Sequence, residues 1–141
     1  MENITQKHIN ELSKIIIGCA IEVHKELGPG LLEKTYEKAM LMVIKEKGLD
    51  AKYQLEVPVN FRNTIIDNAL RLDILVEELI IVELKSVEKI LPIHEAQVLT
   101  YLKLLKKPKG ILINFNCTNI FIKVKPHLYQ NIFLNCLNNK K

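Results

Sequence analysis

The sequence predicts an α/β domain of the α+β-like kind, with a mixed central β-sheet flanked by helices. Three observations support this prediction. Apolar residues recur at three- and four-residue spacing over about residues 7–47, which is typical of helices. From Tyr53 the period changes to alternation, which is typical of half-buried strands. Farther along the chain, a helix-like segment separates two pairs of strand-like segments.

Two helices open the chain. The first is predicted over about residues 7–27, where Gly28-Pro29-Gly30 breaks the pattern. The second is predicted over about residues 31–47 and is stopped by Gly48. Their apolar stripes comprise Ile9, Leu12, Ile16, Cys19, Ala20, Val23 and Leu27 in the first helix and Leu32, Tyr36, Ala39, Met40 and Val43 in the second.

The rest of the chain predicts five strands and one crossover helix. The strands are expected over about residues 53–61, 69–76, 80–86, 110–116 and 119–125. Pro58 indicates an edge position or a bulge, and Arg62-Asn63 predicts a turn. The first three strands predict an antiparallel meander. The helix predicted over 93–106 is long enough to place strand 110–116 parallel to one of them.

The length of 141 residues fits a single domain over residues 1–141, with a short terminal helix or tail over 126–141. No apolar run approaches the ~18 residues of a membrane span, and the N-terminus lacks the basic segment of a signal peptide. We therefore expect a cytoplasmic protein without membrane contact. The widely separated Cys19, Cys117 and Cys136 argue against a disulfide framework and a zinc site.

Charge is distributed unevenly along the chain. Residues 1–102 hold 12 Lys and Arg against 16 Asp and Glu, whereas residues 103–141 hold 8 Lys and no acidic residue. A basic end beside an acidic site would suit a polyanion held against a metal centre. A lysine-rich solvated surface explains the same composition, so charge alone does not decide between the two.

Three ionisable residues interrupt two apolar strands in the middle of the chain, namely Asp73, Glu83 and Lys85. Glu83 and Lys85 are two residues apart and therefore share a face of their strand. Charges in such strands are costly unless they are paired or bind a metal. Two carboxylates can hold a hard divalent cation, and a lysine can stabilise charge on a phosphate. A buried ion-pair network without catalysis is the alternative.

A shared metal requires a particular strand register. Asp73 lies opposite Glu83 only if Val76 pairs with Ile80, which leaves a three-residue loop at 77–79. A two-residue loop would turn the two carboxylates to opposite faces unless a bulge intervened. Such loops usually contain a residue that tolerates positive φ, and this one has neither Gly nor Asn.

These motifs resemble a known family. Asp73 followed by Glu83-Leu84-Lys85 resembles the acid-x-lysine signature of the PD-(D/E)XK nuclease superfamily. Gln97 and Tyr101, which share a helix face, resemble the Gln-x-x-x-Tyr motif of its RecB-like branches. Gly30-x-x-Glu33-x-x-Tyr36 makes residues 8–125 similar to the GxxExxY protein family, which is grouped with these nucleases.

The resemblance implies a PD-(D/E)XK restriction-endonuclease-like core and a Mg²⁺- or Mn²⁺-dependent nuclease that acts on nucleic acid, with DNA expected rather than RNA. Asp73, Glu83 and Lys85 would be catalytic. The metal ligands would be Asp73, Glu83, the carbonyl of Leu84 and Glu33. For Glu33, an N-terminal helix cap is the alternative.

The substrate would be held by residues of the crossover helix and the segment after it. The predicted set is Gln97, Tyr101, His94, Lys103, Lys106 and Lys107. Gln97 and Tyr101 would contact phosphate or buttress Lys85, and a plain surface role is the alternative for His94. For Tyr36, packing is expected.

A different class of function stays open, because the same fold can bind nucleic acid or a protein partner without cleaving. Intact Asp73, Glu83 and Lys85 favour the nuclease. The short chain has no separate DNA-recognition domain, which favours the non-cleaving module or a homo-oligomer.

Overall fold

The structure of the protein, a computed structural model, describes residues 5–126, except for the side chains of residues 68, 69, 125 and 126. The predicted terminal helix and Cys136 lie outside the described residues. The elements are α1 (Gln6–Leu27), α2 (Glu33–Glu46), β1 (Ala51–Phe61), β2 (Thr64–Val76), β3 (Ile80–Lys85), α3 (Pro92–Leu105), β4 (Lys109–Asn114) and β5 (Phe121–Pro126).

The described strands form one five-stranded sheet in the order β1-β2-β3-β4-β5. Strands β1, β2 and β3 make an antiparallel meander, and β5 is antiparallel to β4. Strand β4 is parallel to β3, to which α3 connects it. The predicted mixed sheet flanked by helices is therefore confirmed.

The β1–β2 hairpin is longer than the sequence pattern indicated, because β2 begins at Thr64 instead of about residue 69. Its turn is Arg62-Asn63, and both residues have positive φ, at 49° and 62°. That conformation matches the right-handed twist of the two flanking strands. The predicted irregularity at Pro58 is present as a register shift between Val57 and Val59.

Two apolar layers cover the sheet. Helices α1 and α2 pack on one face, and α3 packs on the other. The first layer includes Ile16, Val23, Tyr36, Met40, Ile74, Val82, Ile111 and Phe115. The second includes Val57, Leu75, Ile81, Val98, Tyr101, Leu102 and Leu112.

The ends of the predicted helical stripes differ from expectation. Leu27, the last residue of α1, is 40% exposed, and Leu32, the N-cap of α2, is 77% exposed. Both flank the loop that joins the helices, so neither reaches the sheet. None of the helices within residues 5–126 is long and apolar enough to cross a membrane.

Gly110 marks the closest approach of α3 to β4. A Cβ atom there would lie 2.6 Å from Cγ1 of Val98 and 3.4 Å from both Cδ atoms of Leu102. Since a helical valine has one strongly preferred rotamer, it has little freedom to give way. We expect Gly110→Ala to lower the free energy of unfolding by about 1–3 kcal/mol in urea titrations.

Gly18→Ala is the matched control, because a Cβ at this exposed position in α1 would meet nothing within 4 Å. It should raise stability by about 0.5–1 kcal/mol, since glycine is disfavoured inside a helix. Equal stability of Gly110→Ala and the wild type would contradict the close packing described here.

Candidate active site

The β2–β3 register is the one that a shared site requires. Val76 pairs with Ile80, and the ladder continues to the pair Ile74 and Val82. The next positions in this register are Asp73 and Glu83. The loop at 77–79 therefore has the three residues that a shared site requires.

The loop has this register without glycine or asparagine. Glu77 and Glu78 both have positive φ, at 52° and 58°, and the Leu79 N–H donates to the Val76 carbonyl at 2.9 Å. The hydrogen bond from Leu79 to Val76 encloses Glu77 and Glu78 as a two-residue turn. Leu79 is an additional residue on the β3 side, and it shifts the strand register by one relative to a two-residue loop. Positive φ is costly for any residue other than glycine, so these glutamates adopt it only with support from their surroundings.

That support comes from the segment that leads into β1. The Glu77 N–H donates to the Asp50 carbonyl at 2.9 Å, and the Asp50 N–H donates to Glu77 Oε2 at 2.7 Å. Lys52 pairs with Glu78 at 2.6 Å. The positive-φ residues are thus held by two hydrogen bonds with the Asp50 backbone and by ion pairs of Glu78.

Beyond Ile74 and Val82, carboxylates bond to the backbone of the facing strand. The Asp73 N–H donates to Glu83 Oε1 at 2.9 Å, and the Leu84 N–H donates to Asp73 Oδ2 at 2.8 Å. Each carboxylate is thereby oriented by a backbone donor. The other oxygen of each carboxylate accepts no hydrogen bond within the described part of the chain. We call Asp73 and Glu83 the acidic pair.

Burial and proximity make a doubly charged acidic pair unfavourable. Glu83 is 3% exposed, and burial followed by the charge of Asp73 raises its pKa to about 8. Burial followed by the charge of Glu37 raises the pKa of Asp73 to about 6, against a lowering by the Leu84 hydrogen bond. A proton or a cation would relieve the cost.

Lys85 is half-buried near the acidic pair, and its charge partly offsets the upward shift in the pKa of both carboxyls. Within residues 5–126 it forms no ion pair with either carboxylate at 4 Å or less. A structural ion-pair network would require direct contact. The geometry therefore does not support that alternative, and it leaves the ammonium available to a ligand.

Two glutamates of α2 approach the acidic pair from the side. Glu33 is the first residue of α2, is exposed, and raises the pKa of both Asp73 and Glu83 through its charge. The N-cap is Leu32, without a side-chain hydrogen bond, so Glu33 does not form the capping contact considered as its alternative.

Glu37 was not identified from the sequence. It lies one turn after Glu33, is 9% exposed and accepts a hydrogen bond from Gln54 at 2.7 Å. The signal that would have found it is the four-residue spacing from Glu33, which places both side chains on one helix face.

Tyr36 holds the loop that precedes α2. Its hydroxyl donates to the Gly28 carbonyl at 2.6 Å and accepts from the Leu31 N–H at 3.1 Å. Its ring stacks on Phe115 at 4.4 Å. The Ser86 hydroxyl donates to the Leu31 carbonyl at 2.5 Å, which ties the same loop to the end of β3. These contacts position the start of α2 beside the acidic pair.

Tyr101 and His94, two of the residues predicted to bind substrate, both make hydrogen bonds within the fold. Tyr101 is 1% exposed, and its hydroxyl donates to the Arg71 carbonyl at 2.9 Å, two residues before Asp73. Burial, followed by the charge of Glu83, raises the pKa of Tyr101 to about 12. His94 Nδ1 accepts from the Leu91 N–H at 3.0 Å and caps α3. Gln97 is partly buried one turn before Tyr101.

The α3 lysines predicted to bind substrate lie toward the start of β3. Lys103, Lys106 and Lys107 lie at or just after the C-terminal end of α3, and Lys107 pairs with Glu78 of the β2–β3 loop at 3.9 Å. The parallel crossover returns the chain to the start of β3, because Lys109 pairs with Ile80. That point is three residues, or about 10 Å, from Glu83.

The residues described provide only part of a metal site. No group of three or more His, Cys, Asp or Glu within residues 5–126 has the arrangement of a metal centre. The acidic pair nevertheless fits a hard cation, because the buried Glu83 and the half-buried Asp73 each have a carboxylate oxygen without a donor, beside the peptide of Leu84.

Comparison with known proteins identifies the architecture. The model of the PD-(D/E)XK nuclease superfamily matches residues 10–125 of this chain. The crystal structure of SSO0001 has a TM-score of 0.55 and 19% sequence identity, over 94% of this chain and 67% of that chain. At that identity the likeness shows the fold alone. None of the curated proteins matches the chain.

The acidic pair should make stability depend on pH when no divalent metal is present. The folded protein retains protons on Asp73 and Glu83 that the unfolded chain releases, since both pKa values are raised from 3.8 and 4.5 to about 6 and about 8. The free energy of unfolding is therefore highest below the unfolded pKa values of the two carboxyls. It falls as the pH rises through their folded pKa values of about 6 and about 8. Thermal unfolding in a chelator should show this fall.

Asp73→Asn and Glu83→Gln should each flatten the pH dependence, because each removes one of the two carboxyls. Glu11→Gln, at an exposed position of α1, should retain the wild-type slope. A melting temperature of the wild type that rises over the same pH window would contradict the assigned burial of the acidic pair.

Proposed function

We propose, since this chain belongs to the PD-(D/E)XK nuclease superfamily, that it is a metal-dependent nuclease that hydrolyses phosphodiester bonds, with DNA as the substrate. Within the superfamily we assign it to the GxxExxY family on Gly30, Glu33 and Tyr36. The observation that carries the proposal is the acidic pair, held by reciprocal backbone hydrogen bonds beside a lysine without a direct carboxylate partner.

The acidic pair would hold Mg²⁺ or Mn²⁺ through the carboxylate oxygens that accept no hydrogen bond, with the Leu84 carbonyl and Glu33 as the further proposed ligands. When bound, such a cation polarises a phosphodiester and acidifies a bound water. The backbone donors of Asp73 and Leu84 orient the two carboxylates before any ligand arrives. That preorganisation reduces the cost of binding.

Lys85 is the proposed catalytic cation. It shares the strand face of Glu83 and forms no direct ion pair in the described structure, so its ammonium can orient a water or stabilise charge on phosphate. Tyr101 is a positioning residue, because its hydroxyl bonds the β2 backbone at Arg71. Gln97 is the residue of α3 that we propose to contact the substrate.

Mg²⁺ or Mn²⁺ should raise the melting temperature of the protein, because a ligand of the folded state stabilises it by mass action. At a metal concentration 100-fold above Kd, the free energy of unfolding should increase by about 2.7 kcal/mol. The gain should increase from acidic to neutral pH, since binding requires deprotonated carboxylates. Asp73→Asn should abolish it, and Glu11→Gln should retain it. An undiminished gain in Asp73→Asn would place the ion elsewhere.

Cleavage should depend on Lys85. A panel of labelled DNA and RNA substrates with Mg²⁺ or Mn²⁺ should show cleavage of DNA by the wild type and a loss of about 10²-fold or more in Lys85→Ala. Lys103→Ala, at the far end of α3, is the matched control and should cleave at the wild-type rate. Equal rates for Lys85→Ala and the wild type would refute the assignment. Binding of DNA without any cleavage would favour a non-cleaving module.

A further inference from the structure

A basic and aromatic groove runs between α2 and β1, with a volume of about 460 Å³. We call it the α2–β1 groove. The residues that give it its character are Lys34, Lys38, Met42, Lys45, Tyr53 and Arg71. None of them belongs to the motifs that identify the family.

The groove is positively charged and available to a ligand. Its lining includes four basic residues and one acidic residue, Glu37. Lys34, Lys38 and Lys45 are exposed and form no ion pair within residues 5–126. Arg71 pairs with Glu56 at 3.3 Å, but both side chains are more than half exposed, so this pair stabilises the fold little and a phosphate can displace it.

The spacing of the lysines suits an extended phosphate backbone. Positions 34, 38 and 45 differ by four and seven residues, which places all three side chains along one stripe of α2. At 1.5 Å per residue the stripe is about 16 Å long. That length is enough for several successive phosphates of one strand.

An aromatic platform lies within the same groove. Tyr53 is 56% exposed and Met42 is 64% exposed, so both side chains are accessible from the groove. An exposed aromatic ring beside basic residues is the combination that stacks an unpaired base while the phosphates bind lysine. In a duplex the bases are stacked on each other and do not offer a face to such a ring.

The groove leads to the acidic pair. Gln54, which also lines it, donates to Glu37, and the charge of Glu37 raises the pKa of Asp73. Arg71 lies two residues before Asp73 on β2. A strand that lies along α2 would therefore reach the carboxylates at the inner end of the groove.

We propose that the α2–β1 groove binds single-stranded DNA and directs it to the acidic pair, with phosphates on Lys34, Lys38 and Lys45 and a base on Tyr53. The delivery of the strand to the acidic pair for cleavage rests on the proposed nuclease function, whereas the binding of the strand in the groove does not.

The test is the affinity of a labelled oligothymidine and of a matched duplex, measured by fluorescence anisotropy with the Lys85→Ala protein to prevent cleavage. The single strand should bind more tightly than the duplex. Tyr53→Leu should weaken single-strand binding about 10-fold, whereas Tyr53→Phe, which retains the ring, should not. Equal effects of the two substitutions, or tighter binding of the duplex, would overturn the proposal.

The lysines are tested by salt dependence. Lys34→Gln with Lys38→Gln should reduce the slope of log affinity against log salt by about 1.4, which is the loss of two contacts to a single strand. Lys103→Gln with Lys106→Gln, two exposed lysines at the end of α3, should leave the slope unchanged. The reverse result would place the strand on α3. Thermal unfolding confirms that each variant is folded.

The same groove substitutions are also made in the protein with Lys85 intact, and DNA cleavage by these variants is measured. This measurement separates the inference about the groove from the proposed function. If that protein cleaves DNA while the groove variants bind and cleave as well as it does, the groove is wrong and the nuclease stands. If no nucleic acid is cleaved while the groove variants lose single-strand binding, the groove stands and the nuclease is wrong.

Discussion

The acidic pair depends on two reciprocal hydrogen bonds between carboxylates and backbone. The carboxylates of Asp73 and Glu83 each accept a hydrogen bond from a backbone N–H, at 2.8 and 2.9 Å. The position of each carboxylate is therefore set by the facing strand and not by the other acid. The pair is therefore held together in spite of the repulsion between like charges. Because each acid has an oxygen without a donor, the arrangement has an electrostatic cost that a proton or a cation would relieve, and it orients the oxygens that would bind either one.

The hydrogen bonds of the acidic pair require the strand register, and the register requires the turn between β2 and β3. Glu77 and Glu78 adopt backbone conformations that glycine or asparagine would adopt at less cost, and Asp50 and Lys52 hold them there. A turn several residues from the acids thus determines whether they meet. A substitution in this turn that shifted the pairing of β2 with β3 by one residue would separate the two acids, although it touches neither of them.

Much of this arrangement follows from the sequence, because periodicity, turn length and parity are local properties. The elements and the parallel crossover were predictable in this way, and parity identified the pairing of Val76 with Ile80 as the one that a shared site requires. Glu37 was not, since its role depends on the packing of α2 against β2. The burial of Tyr101 also follows from tertiary packing alone. The position of Lys107 was implied by the crossover, but net charge by itself hides which end of a helix meets the acids.

The stack of Tyr36 on Phe115 has a consequence for synthesis of the protein. Tyr36 holds the loop before α2, yet its stacking partner follows β4, far along the chain. Contacts between residues so distant in sequence form slowly, and on a ribosome they cannot form before the second partner has emerged. The surroundings of the acids are consequently completed only after Phe115 has been synthesised, and a chain released before Phe115 would lack the contact that fixes α2 beside them.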